Sequence, residues 1–176
     1  MDTSPFAGKK ACCFTGHRPD AMPPPGSAEE ALLQLRLTEA VTAAAEAGVT
    51  LFLNGGARGF DLMAAEVVLS VKSLYPDIRL VLELPSPHHA DHWPAGDKAR
   101  FCRVQAQSDE IHTAAEDNYP YAYLARNRHM VEQADCCLCY LKKARGGTLY
   151  TVNYALDRGI TPINLYTVSM ASSKEN

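Results

Sequence analysis

Three short runs hold the residues best equipped for chemistry: Thr15-Gly16-His17-Arg18, Asn54-Gly55-Gly56-Ala57-Arg58-Gly59-Phe60-Asp61, and Arg145-Gly146-Gly147-Thr148. Each combines glycine with a hydroxyl, an imidazole, a guanidinium or a carboxylate, and each follows an apolar run. Glycine lets backbone N–H groups approach an anion, and a helix beginning just afterwards aims its unpaired donors and positive dipole end at the same place. Arg18 and Arg58 would add charge-assisted donors. The chemistry this favours is the binding of a phosphate or a phosphate-bearing ligand. Asp61 has two readings, a helix cap or a partner for a ribose hydroxyl, and it is the one weak catalytic candidate. Neither GxGxxG nor GxxxxGK[ST] occurs, which disfavours ordinary dinucleotide and NTPase sites.

A fourth group lies in Arg126-Asn127-Arg128-His129. At about 100° per residue, Tyr123, Leu124, Met130, Val131 and Ala134 share one arc, with Asn127 near its centre. An unpartnered buried amide costs about 1–3 kcal/mol. Asn127 is therefore expected to bond either a neighbouring loop or the ligand, with a clamp on a glycine loop preferred. Arg126 and Arg128 flank the arc, where each could reach an anion or stay solvated. His88, His89, Asp91 and His92 invite a metal reading, but Pro87 and Pro94 leave barely one helical turn between them. A loop or pocket wall is preferred there, with no metal, and Trp93 is expected to pack on the core.

The elements that must position these residues alternate along the chain. Strands are expected at about Lys10–Phe14, Val49–Leu53, Arg79–Leu84, Glu110–Thr113, Asp135–Leu141 and Thr161–Leu165. Ser27 and Glu30 form a capping box ahead of a helix striped by Leu33, Leu37, Ala40, Val41 and Ala44, which stops at Gly48. Further helices are expected over Phe60–Ser73, Ala95–Gln107 and Tyr121–Ala134, and over a last segment capped by Thr148 with Val152, Ala155 and Leu156 inward. Alternation of this kind specifies an α/β class, a three-layer Rossmann-like fold with a mostly parallel sheet and helices on both faces. Residues 1–166 read as a single domain and 167–176 as a polar tail. In open sheets of this class ligands bind beyond the carboxyl ends of the strands, the edge where all three glycine runs emerge.

Composition narrows the function classes. At 176 residues the chain can bury roughly 70% of its unfolded surface. A net charge of -3 carries no footprint for duplex DNA or an anionic membrane. No run approaches the ~18 apolar residues of a membrane span, and the first ten residues lack a signal-peptide core, so the cytoplasm is the expected location. Five of the six cysteines fall in strand-like runs, Cys12, Cys13, Cys136, Cys137 and Cys139. Reduced core thiols are preferred there over redox or metal chemistry.

The runs TGHRP, GGARGFD, RNRHMVEQAD and RGGTLYTVNYA, in that order, resemble the YpsA/YoqJ-type branch of the SLOG superfamily over roughly Lys9 to Leu165. The resemblance implies a Rossmann-like binder of nucleotides or their derivatives, related to the LOG phosphoribohydrolases and to DprA. It implies a ligand site at Gly16, Gly55, Gly56, Gly59 and Gly146–Thr148. One departure concerns catalysis. LOG enzymes carry GGxGTxxE, whose Glu assists N-glycosidic cleavage, and this chain has Thr151 at that place.

The preferred expectation is a sensor or regulatory protein in bacterial stress response that holds a nucleotide, NAD or ADP-ribose-like ligand, with no cofactor certain. The alternative is an enzyme that hydrolyses or transfers at an N-glycosidic bond, and whether the ligand is turned over stays open. A third reading, DprA-like binding of single-stranded DNA, is disfavoured by the charge and by the lack of an aromatic-basic groove. The oligomeric state, a homodimer among the options, is not specified.

Overall fold

In the computed structural model, which describes residues 4–166, six strands form one sheet in the order β4-β3-β2-β1-β5-β6. The chain runs β1 (Ala11–Gly16), α1 (Ala28–Glu46), β2 (Leu51–Asn54), α2 (Phe60–Lys72), β3 (Arg79–Leu84), α3 (Ala95–Gln107), β4 (Glu110–Thr113), α4 (Pro120–Glu132), β5 (Cys136–Tyr140), α5 (Gly146–Asp157) and β6 (Ile163–Asn164). Every strand pairing is parallel, as crossover helices require. The expected 167–176 tail lies outside the described residues.

Residue alternation divides the core into two layers. On one face Cys12, Phe14, Phe52, Leu80, Leu82 and Leu138 pack with residues of α1, α2 and α3, including Leu37, Leu62, Val68 and Phe101. On the other, Cys13, Leu53, Val81, Cys137 and Cys139 pack with Met130 and Val131 of α4 and Val152 and Ala155 of α5. Adjacent cysteines thus point into opposite layers, as a two-residue period demands. All six thiols are free, and only Cys102 is exposed.

Local signals hold where they rest on side-chain chemistry. The Ser27 Oγ accepts from the Glu30 N–H at 3.1 Å, and the Glu30 carboxylate accepts from the Gly26 N–H at 2.6 Å. Two expectations at α5 fail. Arg145 is the N-cap residue, so Thr148 sits inside the first turn and caps nothing. Leu156 is half exposed instead of inward, on a helix whose buried residues are Thr148, Thr151, Val152 and Ala155 and whose cap lies three residues earlier than expected. Among the described residues, no helix is long and apolar enough to cross a membrane.

Candidate functional site

Strand order decides where a ligand can enter. From β1 the chain builds outward through β2, β3 and β4, then returns to lay β5 on the other side of β1. The loops after β1 and β5 therefore leave neighbouring strands and lead in opposite directions, which opens a crevice at the carboxyl edge. A cleft of about 400 Å³ occupies it, lined by Thr15, Gly16, His17 and Arg18 from β1 and its loop. Lys143, Arg145, Gly146, Gly147 and Thr148 line it from the β5 side, and Asp61, Arg126 and Asn127 also line it.

His17 is buried and holds the basic loop in shape. Its Nε2 accepts from the N–H groups of Lys142 and Lys143, each at 2.9 Å. An Nε2 that accepts cannot carry a proton, so the ring is neutral with its hydrogen on Nδ1. Burial pushes its pKa down, and the positive charges of Lys143, Arg145 and Lys142 add to the effect against Asp20. His17 thus orients the cationic residues at the cleft mouth.

The Asn54–Asp61 loop spends its hydrogen-bonding groups on itself. Asn54 Oδ1 accepts from the Gly56 N–H at 2.8 Å, and its Nδ2 donates to the Asp61 carbonyl at 2.8 Å. The Ala57 N–H donates to Asp61 Oδ2 at 3.3 Å, and the Phe60 N–H to the His17 carbonyl at 3.1 Å. The glycines here allow close packing. A Cβ on Gly55 would strike Arg126 and Asp61, and one on Gly59 would lie 2.5 Å from the His17 carbonyl oxygen. A Cβ on Gly56 would lie 2.7 Å from Leu84. Gly55, Gly56, Arg58 and Gly59 are absent from the cleft lining, and Arg58 turns to α3, where it pairs with Asp97 at 2.5 Å.

Arg126 departs most from its expected place on a helix flank. It is buried at 4% exposure and donates through Nη1 to the carbonyls of Gly55 and, at 3.1 Å, Glu83. Burial lowers its pKa to about 10, while the neighbouring Asp61 opposes the shift. Asp61 is buried too, and desolvation raises its pKa against the pull of Arg126 and Arg18. Among the described residues Arg126 Nε is the one buried side-chain polar atom without a hydrogen-bond partner. The cleft floor therefore sets a carboxylate near a guanidinium that has an unused donor.

Asn127 does clamp a glycine run, through an intermediary. Its Nδ2 donates to Thr151 Oγ1 at 3.0 Å, and that hydroxyl donates to the Gly147 carbonyl at 2.9 Å. Arg128 is exposed, bonds the Tyr150 hydroxyl at 2.5 Å and does not line the cleft. The first turn of α5 is the open part of the site. No side chain caps it, and a Cβ on Gly146 or Gly147 would meet nothing within 4 Å. Its leading N–H groups have no intrahelical acceptor, an arrangement chemically able to accept an anion.

Lys143, which lines the cleft just ahead of that turn, is missing from the residues expected from sequence. A basic loop ahead of a glycine pair was the available signal. Asn54 was also readable, as an Asx turn before Gly-Gly. In the histidine-rich loop His88 pairs with Asp91, while His89 is buried, with Nε2 3.2 Å from the Gly56 carbonyl. Trp93 packs edge-on against His89 and Phe101. Among the described residues no three His, Cys, Asp or Glu side chains are grouped to hold a metal ion.

The sequence matches the model of the YspA SLOG family over residues 12–171. A UPF0398 protein of Bacillus thuringiensis (strain Al Hakam) is similar at 26% identity over 126 residues, 70% of this chain and 68% of the relative. The fold is similar to DNA processing protein A from Helicobacter pylori, with a TM-score of 0.63 and 18% identity. That superposition covers 96% of this chain and 71% of the other, whose single-stranded DNA binding mode is described. DNA processing protein A from Streptococcus pneumoniae is similar at a TM-score of 0.61 and 16% identity, over 92% of this chain and 52% of that one. At these identities the two structures bear on the fold alone.

Proposed function

The chain belongs to the YspA SLOG family, and from that premise we propose that it binds a nucleotide or nucleotide-derived ligand, acting as a sensor or regulatory protein in bacterial stress response. One observation carries this reading. The uncapped first turn of α5 opens into a cleft of about 400 Å³ ringed by Arg18, Lys143 and Arg145. The phosphate sits on the N–H groups of that turn, where the dipole and three cations favour negative charge. The sugar or base lies toward the floor, where Asp61 accepts and Arg126 Nε donates. The volume falls within the range of small-ligand sites.

The enzyme reading has less support. Thr151 stands where LOG enzymes carry their Glu, and its hydroxyl is committed to the Gly147 carbonyl and to Asn127. Asp61, buried, and Asp20, exposed, are the carboxylates that line the cleft. Sustained release of free base from nucleoside monophosphates or NAD, abolished by Asp61→Asn, would favour the enzyme over the sensor.

A second reading draws on the Helicobacter pylori neighbour, whose single-stranded DNA binding makes the basic rim at the cleft mouth relevant. Calorimetry with AMP, NAD and ADP-ribose, set beside a low-salt gel shift with an oligothymidylate, separates the two. Micromolar binding of a nucleotide that is lost in Arg145→Glu supports the proposal. Tight oligonucleotide binding with no nucleotide response replaces it.

A further inference from the structure

A second cleft, of about 490 Å³, lies beside β3, β4 and α4 and is lined by Glu83, His112, His129 and Glu132 among others. Glu83 is buried at 4% exposure near the end of β3, and no Lys or Arg side chain pairs with it among the described ion pairs. Two imidazoles serve it instead. His112 Nδ1 donates to Oε1 at 2.9 Å from the register position directly opposite on β4. His129 Nδ1 donates to Oε2 at 3.2 Å from α4.

The two rings differ in what their second nitrogen meets. His112 Nε2 lies 3.2 Å from Glu110 Oε2, so both of its nitrogens face carboxylates. Only the imidazolium has a hydrogen on each nitrogen, so that form of His112 is the one able to serve both carboxylates. The outcome is a carboxylate–imidazolium–carboxylate chain from Glu83 on β3 through His112 to Glu110 on β4, whose four residues are all exposed. The main-chain carbonyl of Glu83 accepts from Arg126, which also lines the ligand cleft, so α4 is fastened to this one residue at two points.

We propose that Glu83, His112 and His129 form a proton-operated latch, in which charging His112 fastens edge strand β4 and helix α4 to the same buried carboxylate. Deprotonation removes the charge that balances Glu83 and leaves one ring hydrogen to serve two carboxylates. Glu83 then keeps at most a neutral N–H from His112, beside His129 and, at 3.5 Å, Gln133, to offset its burial.

The surroundings favour the charged ring. Glu83 faces it from β3 and Glu110 from β4, and Arg126, Arg128, His129 and Glu132 line the same cleft from α4. Arg79 is paired with Glu110. The hydrogen bond to Glu83 and the charges of Glu83 and Glu110 raise the pKa of His112, with partial burial opposing. A raised histidine contributes stability that is full below the unfolded value of about 6.5 and lost as pH climbs through the folded value. His17 and His89 are depressed and act at lower pH, so the latch is read above about pH 6.5.

The test is a proton NMR titration of the full chain, with thermal melts of wild type, His112→Gln and Glu110→Gln at about pH 6.5 and 8.5. The exposed positions 110 and 112 make both variants safe to fold. His112 should titrate above the ordinary histidine range and fall back in Glu110→Gln. Amide signals of α4 from Arg126 to His129 should move with the same midpoint. The Tm lost in His112→Gln should be larger at the lower pH by about 2–4 °C. A His112 midpoint at or below the ordinary value, α4 signals that ignore it, or an equal Tm loss at both pH values would each overturn the latch.

Discussion

The two glycine-rich loops that begin helices in this protein, Asn54–Gly59 before α2 and Arg145–Gly147 at the start of α5, look interchangeable as sequence and are opposites as structure. The first is closed. Its N–H groups at Gly56 and Ala57 are taken by Asn54 and Asp61, and its carbonyls at Gly55 and Gly56 by Arg126 and His89. The second is open, with no side-chain cap and empty space where two Cβ atoms would go. Glycine in the first brings protein close to protein, and glycine in the second leaves room for something else. A glycine pair states only that backbone must approach something. It does not name what.

The difference can be attacked from both sides. The largest effect is expected from Gly59→Val in the closed loop, where φ is +89° and the new side chain meets the His17 carbonyl. Backbone strain and overpacking together should cost about 2–5 kcal/mol in urea denaturation. A loss under about 1 kcal/mol would mean that the loop is looser than its contacts suggest. Arg126→Met comes next. It leaves the carbonyls of Gly55 and Glu83 without their donor, a loss of about 2–3 kcal/mol.

Binding should separate the loops in the reverse sense. Arg145→Glu is expected to weaken nucleotide affinity about tenfold or more, an effect of at least ~1.4 kcal/mol by calorimetry. Arg58→Ala, which breaks only the pair with Asp97, should leave affinity within about twofold, a few tenths of a kcal/mol. A large loss from Arg58→Ala alongside none from Arg145→Glu would move the anion site to the α2 loop.

A third handle is pH. His17 and His89 have depressed values because burial disfavours their charged forms. Their contribution is present above the unfolded value of about 6.5 and lost as pH falls through the folded values. Denaturation midpoints should therefore drop between about pH 6.5 and 5, with a shallower slope in His17→Gln. A modest gain belongs to Gly147→Ala, which exchanges an open glycine in a helix for a better helix former. It should raise stability by about 0.5–1 kcal/mol.

Much of the fold was legible because it rests on short-range patterns. Apolar runs bounded by turn residues marked β3 and β4 at their observed limits, and the Ser27–Glu30 box marked the start of α1. The site was legible in part. Thr15–Arg18 and Gly146–Thr148 do meet at one cleft, and Asn127 does act as a clamp. The exceptions share a cause. Arg126 lies on the polar side of its helix by hydropathy, yet it is buried because two carbonyls at strand ends need a donor. Arg58 pairs with Asp97, thirty-nine residues on, a partner that nothing nearby in sequence announced.

Residue order by itself determined an α/β chain whose glycines gather at the carboxyl ends of its strands, since hydrophobic period and turn chemistry are local properties of the polymer. Only tertiary structure decided which of those ends open onto the cleft. Placing β5 beside β1 set the first and third glycine runs across one crevice and left the second a strand away, sealed by its own side chains. Strand order is fixed by how whole layers pack, and no spacing along the chain encodes it directly.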